Sequence, residues 1–121
     1  MKIQATRKQY IPTWVNADIL EELWKVNHSF YVESWVGEPR IGWFAYDIPD
    51  VRTGFHTADM YLKEIDGKLT VGFINGRHRT RWLLSKSLNF LPVGLEDSHF
   101  EKACEIGLAV ARVLGHEEIE L

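Results

Sequence analysis

Between Met60 and Ile74 two β-prone runs flank the dipeptide Asp66-Gly67. A two-residue Asp-Gly turn between such runs dictates an antiparallel hairpin, because both residues adopt positive φ more readily than bulkier ones. Alternation then sets Leu69, Val71 and Phe73 on one face and Thr70, Gly72 and Ile74 on the other. The chain continues as Asn75-Gly76-Arg77-His78-Arg79, whose turn residues lead into a helix predicted over 77–88, followed by a strand over about 90–95. Strand, helix and strand joined by short connections predict a βαβ unit with parallel pairing and a right-handed crossover.

The flanking segments read less sharply. Residues 10–15 are β-prone, with Pro12 favouring an edge position. Asn16 is a suitable N-cap for a helix over 17–27, in which Leu20, Leu23, Trp24 and Asn27 share a face. In 28–57, Tyr31–Val36 and Ile41–Tyr46 fit either two strands around Gly37–Arg40 or an aromatic-rich loop over the core; the loop is preferred. Pro49 and Gly54 mark a further irregular stretch. A last helix is predicted to begin at Ser98, with Ser98 and Glu101 as a capping box. Its core stripe would be Phe100, Ala103, Gly107, Val110 and Leu114, and Gly115 would end it. The tail His116–Leu121 is expected to fray. Together these elements predict a single α+β domain over 1–121, compact, with a small mixed β-sheet flanked by about three helices.

Bulk properties narrow the function classes. With 45% hydrophobic residues and five tryptophans the chain has ample surface to bury, so disorder is not expected. A net charge of −3 argues against a general nucleic-acid coat but permits a local basic patch. One cysteine, Cys104, excludes an internal disulfide and a cysteine-rich zinc site; it is expected as a buried, inert thiol on the last helix. Neither a secretory h-region nor a membrane-spanning apolar run is visible, so a reduced, cytoplasmic setting is expected.

The chemistry concentrates at the predicted helix start. Helix N-termini carry unsatisfied amide donors and partial positive charge, and a glycine after a strand lets an anion approach them. Gly76 supplies that backbone, and Arg77, His78, Arg79 and Arg81 add donors and cations. Cations at this end cost helix stability, so their presence points to a demand other than folding. A phosphate would meet it, since arginine pairs with phosphate oxygens in bidentate geometry. The ordinary alternative is pairing of these arginines with acids such as Asp47, Asp50 or Asp59.

The run Gly72 to Leu84, followed by Leu91-Pro-Val93, resembles the core of the ParB/sulfiredoxin superfamily: a strand, an (Asp/Asn)-Gly-x-His-Arg helix start, then an Ile-Pro-Val-like strand. Within it the chain is most similar to ParB-like plasmid proteins of the fertility-inhibition and oncogenic-suppression type. The likeness covers about 58–95 well, 10–27 weakly and 28–57 not at all. It implies nucleotide or phosphoester binding at the turn, with Asn75, Gly76, His78 and Arg79 at the matching positions, ATP with Mg as cofactor, and weak ATPase or DNase activity. Two departures limit it. Sulfiredoxins have a cysteine where this chain has Arg77, which argues against sulfinic-acid reduction, and the chain leaves no room for the helix-turn-helix of partition proteins. DNA, if bound, would be bound without sequence specificity.

Other candidates have mostly structural readings. Of His28, His56, His78, His99 and His116 none shows metal-ligand spacing, and no metal site is expected. His78 alone has a functional case, as a phosphate ligand or as a proton donor to a leaving oxygen. His56 with Asp59 either completes the site or forms an ordinary loop pair, the loop pair being preferred, and Trp82 reads as packing. A nuclease would need acidic metal ligands, and no spacing singles out a pair among Glu33, Asp47, Asp50, Asp59 and Glu64. Trp35, Trp43 and Phe44 offer base stacking but fit the core better. Alternatively, the chain is a small inhibitor that binds a protein partner through the aromatic segment 28–46.

Overall fold

The computed structural model describes all residues 1–121. Its strands are β1 (Lys2–Gln4), β2 (Tyr10–Asn16), β3 (Phe44–Ile48), β4 (Val51–His56), β5 (Asp59–Ile65), β6 (Lys68–Asn75), β7 (Phe90–Glu96) and β8 (Ala109–Arg112). Its α-helices are α1 (Ala17–Trp24), α2 (Arg77–Leu84) and α3 (Phe100–Glu105), with 3-10 turns at Ile41–Trp43 and Asp97–His99. The α+β class with mixed sheets and three helices is therefore as expected, but there are two sheets: a five-stranded one ordered β6-β5-β7-β2-β8 and a three-stranded one ordered β1-β4-β3.

The Asp-Gly hairpin forms as read. Asp66 and Gly67 both have positive φ, 51° and 76°, and Ile65 faces Lys68 across the turn. At its centre β6 is buried on both faces. Val71 enters the core, while Thr70, whose side chain alternates to the opposite face, donates through its hydroxyl to the Leu23 carbonyl of α1 at 2.5 Å. α1 begins at its expected cap, where Asn16 Oδ1 accepts from the Ile19 amide at 3.0 Å. It stops earlier than predicted, and Asn27 beyond it is buried and donates to the Val71 carbonyl at 3.0 Å.

Several expectations are corrected. β7 does not pair with β6; it runs parallel to β5 over Asp59–Met60 and antiparallel to β2. Because β5 and β6 are antiparallel, β6–α2–β7 is not a parallel βαβ unit, and the parallel partner is the strand before the hairpin turn. Pro12 is not on an edge strand, since β2 lies between β7 and β8. Its missing N–H costs nothing because the β2–β8 ladder starts at Thr13, while its carbonyl still accepts from Val113. Residues 44–56, read as loop, form the β3–β4 hairpin around Pro49-Asp50, whereas 31–36 are indeed irregular. The last helix ends at Glu105. Gly107, with φ +78°, reverses the chain, and the following residues leave as β8 along β2. Val110 and Leu114 are accordingly exposed, and Ser98 bonds Glu96 rather than capping a helix. The tail is anchored rather than frayed: Ile119 is buried and its amide bonds the Met1 carbonyl at 3.0 Å.

One continuous core joins both sheets. α1 packs on β6 and β2, and α2 on β7. Trp82 of α2 is 4% exposed and sits 5.7 Å from Phe44, 5.8 Å from Trp43 and 6.2 Å from Phe55, ring centre to ring centre. It thereby ties the helix to the smaller sheet, as the packing reading required. No helix is long and apolar enough to cross a membrane. Replacing Trp82 by alanine should cost about 3–5 kcal/mol, read as a lowered urea midpoint in far-ultraviolet circular dichroism; an unchanged midpoint would remove Trp82 from the core.

Candidate functional site

The turn between β6 and α2 is held from below by a buried carboxylate. Asp59, fully buried at the start of β5, accepts from the Thr6 hydroxyl at 2.8 Å and from Asn75 Nδ2 at 2.7 Å, and lies 3.3 Å from Arg7 Nε. Asn75 Oδ1 in turn accepts from Arg79 Nη2 at 2.7 Å, and Arg79 Nη1 donates to the His56 carbonyl at 3.0 Å. Both ends of the Asn75 amide are thus engaged with protein. The functional part of His56 is its carbonyl, not its ring.

Gly76 is required where it stands. Its φ is +91°, and a Cβ there would lie 2.5 Å from Ala58 Cβ and 2.7 Å from Arg79 Nε. Its carbonyl receives both the amide and the hydroxyl of Thr80, at 3.0 and 2.9 Å, which starts α2. No side chain caps the helix, so the amides of Arg77, His78 and Arg79 are left without a protein acceptor.

The three arginines have different fates. Arg81 is buried with its Nη2 2.8 Å from Glu21 Oε2 and its Nε donating to the Val32 carbonyl; its guanidinium lies 5.2 Å from the ring centres of both Trp24 and Tyr31. Because α2 ends at Leu84 and not 88, Arg81 falls in the last turn, where a cation is favourable. The structure therefore places Arg81 outside the cluster that the sequence suggested. Arg79 is buried, its charge committed to the turn, and its Nε has no partner. Burial pulls its pKa below the usual arginine value, and Asp59 opposes that. Arg77 keeps a half-exposed guanidinium whose one protein hydrogen bond is a long one, 3.4 Å from the Phe30 carbonyl.

These residues line a cavity of about 450 Å³. Arg77, His78, Arg79, Asn75 and Gly76 form its α2 side; Phe30, Arg40 and Trp43 come from the 28–43 segment, and Phe73 and Ile74 from β6. No carboxylate lines it. Arg40, which sequence reasoning missed, is exposed, makes no ion pair and lies 5.1 Å above the Trp35 ring. No local pattern pointed to it, because its role depends on where an irregular loop is laid down. The His78 ring sits 5.9 Å from Trp35. Burial first, then the Arg77 and Arg40 charges, hold its pKa below the usual histidine value, which favours the neutral ring.

The remaining candidates fall elsewhere. Trp43 and Phe44 are buried and Trp35 is half-buried, so no tryptophan of 28–46 stands free for a partner. Cys104 is exposed, contrary to expectation, because Ala103 is the one buried residue of the short α3 and Cys104 points away from the core beside it. No three His, Cys, Asp or Glu side chains converge as metal ligands.

A family model described as plasmid fertility inhibition factor matches residues 47–104, just under half of the chain and including the whole β6–α2 turn. No curated protein and no solved structure matches the chain.

A histidine with a depressed folded-state pKa binds protons more readily once unfolded. Its contribution to stability is full above about pH 6.5 and is lost as pH falls through the folded-state value. Stability of the wild type should therefore decline more steeply than that of His78→Asn between pH 7 and pH 5 in urea titrations, and parallel curves would contradict the assignment. Separately, Gly76→Ala should destabilise by about 1–3 kcal/mol through strain at a positive-φ position, measurable in the same titrations.

Proposed function

We propose that the chain is a plasmid fertility-inhibition type of protein that binds a nucleotide or another phosphoester in the α2 cavity. The observation that carries this is the meeting, in one open cavity, of three unpartnered helix-start amides with the free guanidiniums of Arg77 and Arg40. Free donors and unpaired cations facing one space attract an anion. The volume lies within the usual range for small-ligand sites, about 300–1,000 Å³. Phe30, Phe73 and Trp43 give an apolar side on which a base or other flat group rests while its phosphates meet the cations.

The roles differ from those read in the sequence. Arg77 and Arg40 neutralise charge, the Arg77–Arg79 amides cradle oxygens, and neutral His78 offers a ring nitrogen as hydrogen-bond partner. Asn75, Gly76 and Arg79 position the turn, and Arg81 takes no part in contact. ATP with Mg fits the cations and the apolar wall. Mg is usually held by one or two carboxylates together with phosphate oxygens and water; with no carboxylate in the lining the protein itself offers the metal no such ligand. Nothing in the cavity demands turnover, and the reading is one of binding. The ParB/sulfiredoxin-like assignment belongs to this proposal too; it is supported by the motif order and by the Asn75-Gly76 turn feeding α2.

A partner-binding reading keeps one specific support. Phe30 is 55%, Val36 90% and Ile41 78% exposed, all on the segment that borders the cavity. With the tryptophans turned inward, those three would have to carry the contact.

Calorimetric titration of pyrophosphate, ATP, GTP and a short single-stranded DNA separates the two. Arg77→Ala should weaken the bound ligand about ten- to a hundredfold, the loss of about 1.5–3 kcal/mol for a charge-assisted bond. Arg52→Ala, whose side chain stacks on Phe44 outside the cavity, should bind as the wild type does. Absence of binding by the wild type to any of the four would abandon the anion site and leave the partner reading.

A further inference from the structure

The connection from α1 to the 3-10 turn, residues 25–40, is longer than most connections in a compact domain, and such loops are commonly functional. From Val32 to Pro39 its backbone enters no backbone–backbone hydrogen bond. One side of α2 seats it instead. Arg81 Nε donates to the Val32 carbonyl, the His78 ring meets Trp35, and Arg77 Nη1 approaches the Phe30 carbonyl. Positions 77 and 81 are one turn apart on the same helix surface.

The grip is uneven along this strap. At Val32 it is firm, because Arg81 is itself fixed by both Glu21 oxygens and by two aromatic faces. Tyr31 adds a hydroxyl bond to the same Glu21. At Phe30 it is looser: a 3.4 Å hydrogen bond, beyond the ordinary N–H···O range of about 2.7–3.2 Å, and a guanidinium 5.5 Å from the ring centre. At the far end the buried Trp35 indole N–H lacks an acceptor, and Arg40 rests over that ring without an acidic partner. Stacking alone holds this end.

We infer that the strap closes on the bound anion through Arg40, with Arg81 as its fixed point. The inference rests on the cavity being an anion site. An anion seated on the α2 amides and Arg77 presents oxygens to the one cation that the strap contributes to the cavity. Pairing with Arg40 then ties residues 33–40 to α2. These residues have no ladder to break, so the cost is the ordering of a short segment and the return is a charge-assisted bond. Arg40 is in this sense specificity-determining: it rewards ligands long enough to bridge from the helix start to the strap.

Hydrogen exchange with mass-spectrometric readout on the whole chain, with and without saturating pyrophosphate, tests it. Amides of residues 33–40 should exchange about tenfold more slowly in the loaded protein. Arg40→Ala should still bind, more weakly, but lose that protection, and Arg52→Ala should keep both. If calorimetry shows that pyrophosphate does not bind the wild type, the anion site falls and the strap inference with it. If pyrophosphate binds but 33–40 exchange unchanged, or Arg40→Ala retains the protection, the closing strap is overturned while the anion site stands.

Discussion

The buried carboxylate of Asp59 is the interaction on which the cavity depends. Removing a charge from water costs several kcal/mol unless its lone pairs are met, and here they are met by Thr6, Asn75 and Arg7. Those partners come from two stretches, the β1–β2 connection and the end of β6, and Asn75 carries the link on to the Arg79 side chain of α2. One carboxylate therefore fixes both sides of the Gly76 turn. The close approach of Ala58 to Gly76 follows from that, and so does the direction in which the first amides of α2 point. The carboxylate does not line the cavity, so its charge does not oppose an anion there at contact range.

The same arrangement explains why several cations in one short run do not make one cationic cluster. Successive helix positions are about 100° apart, so Arg79 faces away from Arg77, while Arg81 shares the Arg77 side of α2 one turn further on, over different surroundings. Arg79 turns beneath the turn and completes the Asn75 bond, and Arg81 reaches α1 and Glu21. Only Arg77 remains toward the open side. Two of the three cations at the start of α2 thus serve folding, Arg81 at a favourable position in the last turn. What replaces them is Arg40, delivered by the loop.

Legibility followed the range of the forces involved. The Asp66-Gly67 hairpin and the Asn16 cap were readable because a few adjacent residues decide them, and the structure forms both as read. The Asn75-Gly76 turn was readable for the same reason; Asp59 and His56 were candidates beside it, but the link of Asp59 through Asn75 to Arg79, and the use of the His56 carbonyl rather than its ring, were not legible. The last helix was misjudged because Gly107 fitted an apolar stripe in i, i+3 and i+4 counting. Its left-handed φ, and the free edge of β2 that accepts Ala109–Arg112, are tertiary facts. The exposure of Cys104 follows from that shortened helix. The burial of Ile119 depends on a bridge between Lys2 and Glu118 at opposite ends of the chain, beyond any local pattern. The loop 25–40 was the least readable, since side chains of a distant helix hold its course and no ladder of its own does.

The boundary of the family match gives that last point a physical meaning. The matched stretch 47–104 contains Asp59, the β6–α2 turn and Trp82, although Thr6 and Arg7, which meet the Asp59 carboxylate, lie before it. Glu21, Phe30, Trp35 and Arg40 lie outside it, and they supply the opposite wall of the cavity and the clamp on Arg81. A wall built on the buried carboxylate is thus set against a ladder-free wall that carries Arg40 and aromatic surface. The loop meets that frame through Arg77, His78 and Arg81 of α2, and none of the partners of the buried carboxylate comes from it.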